Sequence, residues 1–153
     1  MTQPQSVMHS TTVPLRWTDF DRFGHLNNAQ YIEIAQEARL EFAQQEFVGR
    51  GLEIPAVFVR HLDVDYLRPI LPDTVVATVE TSVVEIGRTS FTTRQEVKDR
   101  QGRVGCVVEC VQVAVDIDTS RPRAITAQEL KVLERRADED TEEDSDDATK
   151  DDE

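Results

Sequence analysis

Residues 16–31 read RWTDFDRFGHLNNAQY and bring two aspartates, one glycine, one histidine and two asparagines into a single short stretch. An apolar strand-like run precedes it and a helix-like run follows. Asn27 has the residue type of a helix N-cap, and Gln30 stands three residues on, the spacing of a capping pair. Asn28 is then the first helical residue, and its backbone N–H has no intrahelical acceptor and points out of the positive end of the helix dipole. A carboxylate beside such an N–H is the pairing needed to polarise a carbonyl and attack it. On residue type alone, two loop carboxylates are more often solvated or capping groups, so Asp19 and Asp21 need further support. Metal readings fail on residue type. A calcium loop starting at Asp19 wants oxygen at its fifth position and Glu at its twelfth, where this chain has Phe23 and Gln30. The stretch holds one histidine with no partner at ligand spacing, so no metal site and no cofactor are expected.

The flanking elements must hold this junction in place. Residues 13–17, VPLRW, read as a first short strand. Runs 57–67, 74–86, 88–99 and 103–116 are rich in beta-branched residues, alternate with period two and break at Gly, Pro and Asp. They predict four long strands joined by tight turns as an antiparallel meander, with Pro72-Asp73 as one of the turns. Residues 29–47 carry Tyr31, Ile34, Ala35, Ala38 and Phe42 at helical spacing, with no Gly or Pro before Gly49. Ile32, Leu40, Ala43 and Phe47 widen that stripe and predict apolar contact around much of the circumference. Thr126 and Glu129 fit a capping box and Ile125 with Leu130 a hydrophobic staple, so a short second helix is expected near residue 127, packed on an edge. One strand, one long helix and four strands predict an α+β domain with an antiparallel sheet and a single buried helix.

The chain has 153 residues and a formal charge of -13. It is long enough for one domain with a real core. Residues 138–153 contain eleven acids against Lys150 alone, so that segment carries -10 and the remainder only -3. The segment lacks any apolar residue larger than alanine and reads as a disordered, solubilising tail. An acidic chain without a basic stripe argues against nucleic acid as partner. No apolar run approaches a membrane span, and residues 1–11 read as a flexible start without a secretory signal. Cys106 and Cys110 lie four apart in a strand-like run. They would sit ~13 Å apart there at about 3.3 Å per residue, too far for a mutual disulfide. A reducing cytoplasm is the expected setting.

Three segments, RWTDFDRFGHLNNAQYIEIAQEAR (16–39), DVDYLRPILPDTV (63–75) and EIGRTSFTTRQEV (85–97), together resemble the acyl-CoA thioesterases of the hotdog fold, in the 4-hydroxybenzoyl-CoA thioesterase-like family. The string D-x-D-x-x-G-H-x-N-N-x-x-Y is its most specific piece. Pro72-Asp73 departs from the Gly-Asp that family members often carry. The resemblance implies an antiparallel sheet wrapped around one long central helix, over a domain taken as residues 12–137. It also implies hydrolysis of an acyl-CoA thioester without a metal. The family's catalytic carboxylate falls on Asp21, and its carbonyl-polarising amide on the backbone of Asn28. Gly24, His25, Asn27, Tyr31 and Ser90 are the expected substrate-binding residues. His25 can equally bond to the loop backbone, and Tyr31 and Arg39 can pack or pair. Arg60 and Arg88 are assigned to the phosphates of coenzyme A, ahead of Arg94 and Arg103, since arginine suits phosphate. A homodimer or homotetramer is expected, with the site between subunits. Two other functions remain open at this point. A hotdog enoyl-CoA hydratase or dehydratase has an F-x-G-H stretch that FGH here superficially resembles, but has Phe-Pro where this chain has Leu26-Asn27, and a non-catalytic acyl-CoA-binding module would not need Asp21.

Overall fold

The beta-branched runs fold into five strands: β1 (His9–Pro14), β2 (Val57–Tyr66), β3 (Val76–Ile86), β4 (Ser90–Lys98) and β5 (Val104–Ala114). The structure is a computed structural model and describes residues 9–134. The acidic tail and most of the expected flexible start therefore lie outside the described residues. The strands form one sheet in the order β1-β3-β4-β5-β2, with every neighbouring pair antiparallel.

That order corrects the four-strand meander. Only β3, β4 and β5 follow one another as hairpins. β2 pairs with β5 at the far edge, Leu62 opposite Cys110 and Val64 opposite Val108. The chain must then cross from one side of the sheet to the other between Tyr66 and Val76. Pro72-Asp73 does make a turn, with the Thr74 N–H donating to the Leu71 carbonyl at 3.0 Å, but it lies inside this crossover and not in a hairpin.

The first strand also differs from the expected 13–17. β1 stops at Pro14, because the Asp19 carboxylate accepts the Arg16 N–H at 2.8 Å and winds Trp17–Asp19 into a 3-10 turn. It begins at His9, so the boundary expected at residue 12 falls inside it. Its inward-facing residues are His9, Thr11 and Val13, and two polar residues of three hide the alternation from a hydropathy reading.

Helix α1 (Asn28–Glu46) lies across the sheet. Tyr31, Ile34, Ala35, Ala38 and Phe42 are buried, as their spacing predicts, whereas Leu40 is 55% exposed. Among the described residues, the expectation of cover around the circumference is thus met on one face only. Register shifts in β2, β3 and β4 curve the sheet over that face. Near the start of α1 the core contains Leu26, Tyr31, Ile70, Val97 and Val108. Near its end, a second cluster joins Phe42, Phe47, Val83 and Phe91.

Helix α2 (Ala127–Leu133) has the predicted capping box, Thr126 accepting from the Glu129 N–H and Glu129 from the Thr126 N–H. It does more than rest on an edge, since its Val132 and Leu133 are buried in that second cluster. Both cysteines are free and buried on the helix-facing side of β5. Burial, with Asp65 nearby, pushes the Cys106 thiol up to about 11, so it stays protonated and is no nucleophile.

Candidate active site

A bridge between Phe20 and Leu26 closes a tight loop at residues 21–25. Asp21 organises this loop from inside. Its Oδ1 accepts the Phe23 N–H at 2.8 Å and the His25 N–H at 3.1 Å, while its own N–H donates to the His25 carbonyl at 2.8 Å. Gly24 has φ +73, a left-handed conformation that a side chain would disfavour, and it lets the chain turn back. Asp21 Oδ2 has no partner among the described residues, so one oxygen holds the loop and the other is available. Asp19 is a different case. It is buried, ion-paired to Arg16 at 3.2 Å, and its carbonyl accepts the Asn27 N–H at 2.9 Å. It anchors the entry to the loop.

The loop delivers the chain into α1 through Asn27, whose backbone is extended and whose side-chain oxygen accepts the Ala29 N–H at 3.1 Å. Ala29, and not Gln30, supplies the N–H that Asn27 caps. Asn28 is the first residue of α1, and its N–H has no acceptor among the described residues.

The crossover after β2 supplies the facing wall. The Leu26 N–H donates to the Ile70 carbonyl at 2.9 Å, and the Ile70 N–H donates to the Tyr31 hydroxyl at 3.0 Å. The Tyr66 hydroxyl donates to the Asn28 carbonyl at 2.9 Å, and the Tyr31 and Tyr66 rings meet edge-on at 5.4 Å. Gly105 lets this segment lie close to β5. Its carbonyl accepts the N–H groups of Leu67 and Arg68, and a Cβ there would lie 2.8 Å from Ile70 Cγ1.

Between the walls is a cavity of about 260 Å³, lined by Asp21, His25, Leu26, Asn28, Tyr31, Tyr66, Leu67, Arg68 and Pro69. A free carboxylate oxygen and an unaccepted N–H thus belong to residues of one lining. Tyr31 is only 2% exposed, and burial foremost keeps its phenol above the usual range and neutral. Among the described residues no group of three or more His, Cys, Asp or Glu is arranged to hold a metal ion.

Of the residues singled out in the sequence, Asp21, His25, Asn28 and Tyr31 meet at this cavity, while Gly24 and Asn27 shape the loop and the helix start without lining it. Ser90 and Arg88 do not join them within one chain. β3 leaves the junction, where the Leu15 N–H donates to the Val75 carbonyl, and runs to Ile86, so the β3–β4 turn lies at the opposite end of the sheet. Arg60 occupies an irregularity in edge strand β2 and is exposed. Arg60 and Arg88 form no ion pair among the described residues, while Arg94 is held by Glu96 and Glu109, and Arg103 by Asp99. Leu26, Tyr66, Leu67, Arg68 and Pro69 line the cavity without being among the site residues expected from the sequence. The signal available was that DVDYLRPILPDTV runs a strand into a proline-interrupted segment.

A family model described as the thioesterase-like superfamily matches residues 15–135. The chain is similar in structure to a thioesterase from Thermus thermophilus complexed with coenzyme A and Zn, at 25% identity and a TM-score of 0.73, over 85% of this chain and 100% of that one. It is also similar to a predicted thioesterase from Bacillus stearothermophilus, at 25% identity and a TM-score of 0.71, over 81% and 92% of the two chains. The fold recurs in a 1,4-dihydroxy-2-naphthoyl-CoA thioesterase from Synechocystis at 12% identity and a TM-score of 0.69, over 81% and 93%. No curated protein sequence matches the chain.

Proposed function

The chain belongs to the thioesterase-like superfamily and has its hotdog fold; from that premise we propose that this thioester hydrolase cleaves an acyl-CoA to a carboxylic acid and free CoA. The observation that carries the reading is the pairing at one cavity of Asp21, with a carboxylate oxygen uncommitted, and Asn28, with an N–H unaccepted. The thioester carbonyl oxygen sits at the start of α1, where the Asn28 N–H and the helix dipole meet the negative charge that develops on attack. Asp21 either attacks the acyl carbon itself, leaving an anhydride for water to hydrolyse, or removes a proton from the attacking water. Both routes break the C–S bond and release the CoA thiolate, a good leaving group.

The coenzyme A complex of the Thermus relative supports acyl-CoA as the substrate class. Arg60 and Arg88, which form no ion pair among the described residues, would meet the phosphates. We also read the protein as a homo-oligomer. β2 is an edge strand with Phe58 and Val59 more than half exposed, and a second copy would cover it. Ser90 and Arg88, distant from the cavity of their own chain, would serve the cavity of such a copy. The buried free thiols fit a reducing compartment, the cytoplasm.

Free-thiol release from short, long and aromatic acyl-CoAs tests this function, with wild type beside Asp21→Asn. Asparagine retains an oxygen for the Phe23 and His25 N–H groups, so the loop survives while the carboxylate is lost. Turnover is expected in wild type and a fall of about 100-fold or more in the variant. No release across the panel overturns the acyl-CoA reading. Equal rates in both proteins remove Asp21 from the mechanism.

A further inference from the structure

We propose that Tyr66 is a positioning residue for the hydrolysis, its hydroxyl fixing the first turn of α1 against the crossover wall. This rests on the acyl-CoA thioesterase reading above.

Three hydrogen bonds join residues 66–70 to residues 26–31. Two of them, Leu26 N–H to Ile70 carbonyl and Ile70 N–H to Tyr31 hydroxyl, are buried in the core. The third is the 2.9 Å bond from the Tyr66 hydroxyl to the Asn28 carbonyl, at the exposed mouth of the cavity. Tyr66 ends β2, is 48% exposed and gains little by burial. Its ring stands edge-on to Tyr31 and its hydroxyl reaches the residue whose N–H faces the substrate. The Asn28 carbonyl already serves the Ile32 N–H one turn on, so Tyr66 adds a second donor to a satisfied acceptor. Such a bond is not needed to satisfy a buried group; its effect is to restrain the first residue of the helix. Helix ends fray, and an unrestrained first turn would let the Asn28 N–H swing away from the carbonyl it must polarise. Desolvation by burial keeps the phenol above its usual range, so it remains a donor at neutral pH.

The test is Tyr66→Phe, which keeps the ring contact and deletes the hydroxyl. With an acyl-CoA that the wild type turns over, kcat should fall about fivefold to tenfold with KM within about twofold. The thermal midpoint should barely move. In the ligand-free protein, amide hydrogen exchange at Ile32, whose acceptor is the restrained carbonyl, should quicken several-fold. Unchanged kcat overturns the proposal, and so does reduced kcat with unchanged exchange, because the hydroxyl would then act on substrate directly. A rise in KM alone does the same. Exchange is measured without substrate. If wild type hydrolyses no acyl-CoA, the function proposed above falls, while unaltered exchange in the variant separately refutes the restraint.

Discussion

The two oxygens of Asp21 differ, one tied to the loop N–H groups and one without a partner among the described residues. Two glycines, Gly24 in that loop and Gly105 on β5 beneath the crossover, act by different physics, and their variants should separate. At Gly24 an added Cβ meets nothing within 4 Å, but φ +73 penalises any side chain. Gly24→Ala should therefore cost about 1–2 kcal/mol and act mainly on the loop that holds Asp21. Gly105 has the opposite problem. Its Cβ would lie 2.8 Å from Ile70 Cγ1 and 2.9 Å from the Arg68 carbonyl oxygen, which is backbone and cannot rotate away. Gly105→Ala should push the crossover off β5 at a cost of about 1–3 kcal/mol, lowering the thermal midpoint by roughly 3–10 °C. Melting curves beside kcat for both variants check this. A Gly105→Ala protein that melts with wild type would show that the crossover does not press on β5 as described.

Among the elements, α2 makes a contribution out of proportion to its length, because it plugs the core under the end of α1. Leu133 is buried among aromatic residues, and Leu133→Ala should cost about 2–4 kcal/mol. The start of α2 is fastened electrostatically, with Arg123 reaching both oxygens of Glu129 at 2.8 and 2.9 Å. That hydrogen bonding foremost, opposed by burial and helped by the Thr126 N–H, holds the Glu129 carboxyl below its ordinary value of 4.5. A depressed folded value means stability that is full above the unfolded value and lost as pH falls through the folded one. The melting difference between wild type and Glu129→Gln should thus be largest at neutral pH and vanish in acid below the folded value. A constant difference would detach the clamp from α2 stability. The capping box that seats this helix was legible in four residues, and so was the helical spacing of α1. The neighbours of β2 were not, since period-two alternation tells which residues share a face and not which strand lies alongside. Pro72-Asp73 likewise announced a turn correctly but could not say whether it closes a hairpin or lies in a crossover. The site divides in the same way. Asp21 and Asn28 are close in sequence, the Asn28 N–H following from helix-start physics and the choice of Asp21 from the family resemblance, whereas Tyr66 comes from 38 residues further on, through the topology alone.

At the scale of the whole molecule, one sheet covers one face of α1, and among the described residues the other side of that arrangement is open. Phe58 and Val59 on the β2 edge and Leu40 on α1 expose apolar surface that a monomer gains nothing by presenting. An edge strand of ten residues is also a row of unpaired backbone groups suited to pairing with a second chain. The charge does not forbid this, because ten of the thirteen net negative charges sit in residues 138–153 and leave the body at only -3. Sedimentation velocity at micromolar concentration should therefore show a dimer or a higher even assembly. Val59→Lys, which places a charge on the β2 edge, should shift the distribution toward monomer and lower thiol release with it. The second readout matters because it ties assembly to chemistry. If the site draws on a partner's Ser90 and Arg88, monomers that remain folded must lose activity. A wild type that sediments as a clean monomer and still turns over acyl-CoA would confine the site to one chain, to the Asp21 loop, the start of α1 and the crossover wall.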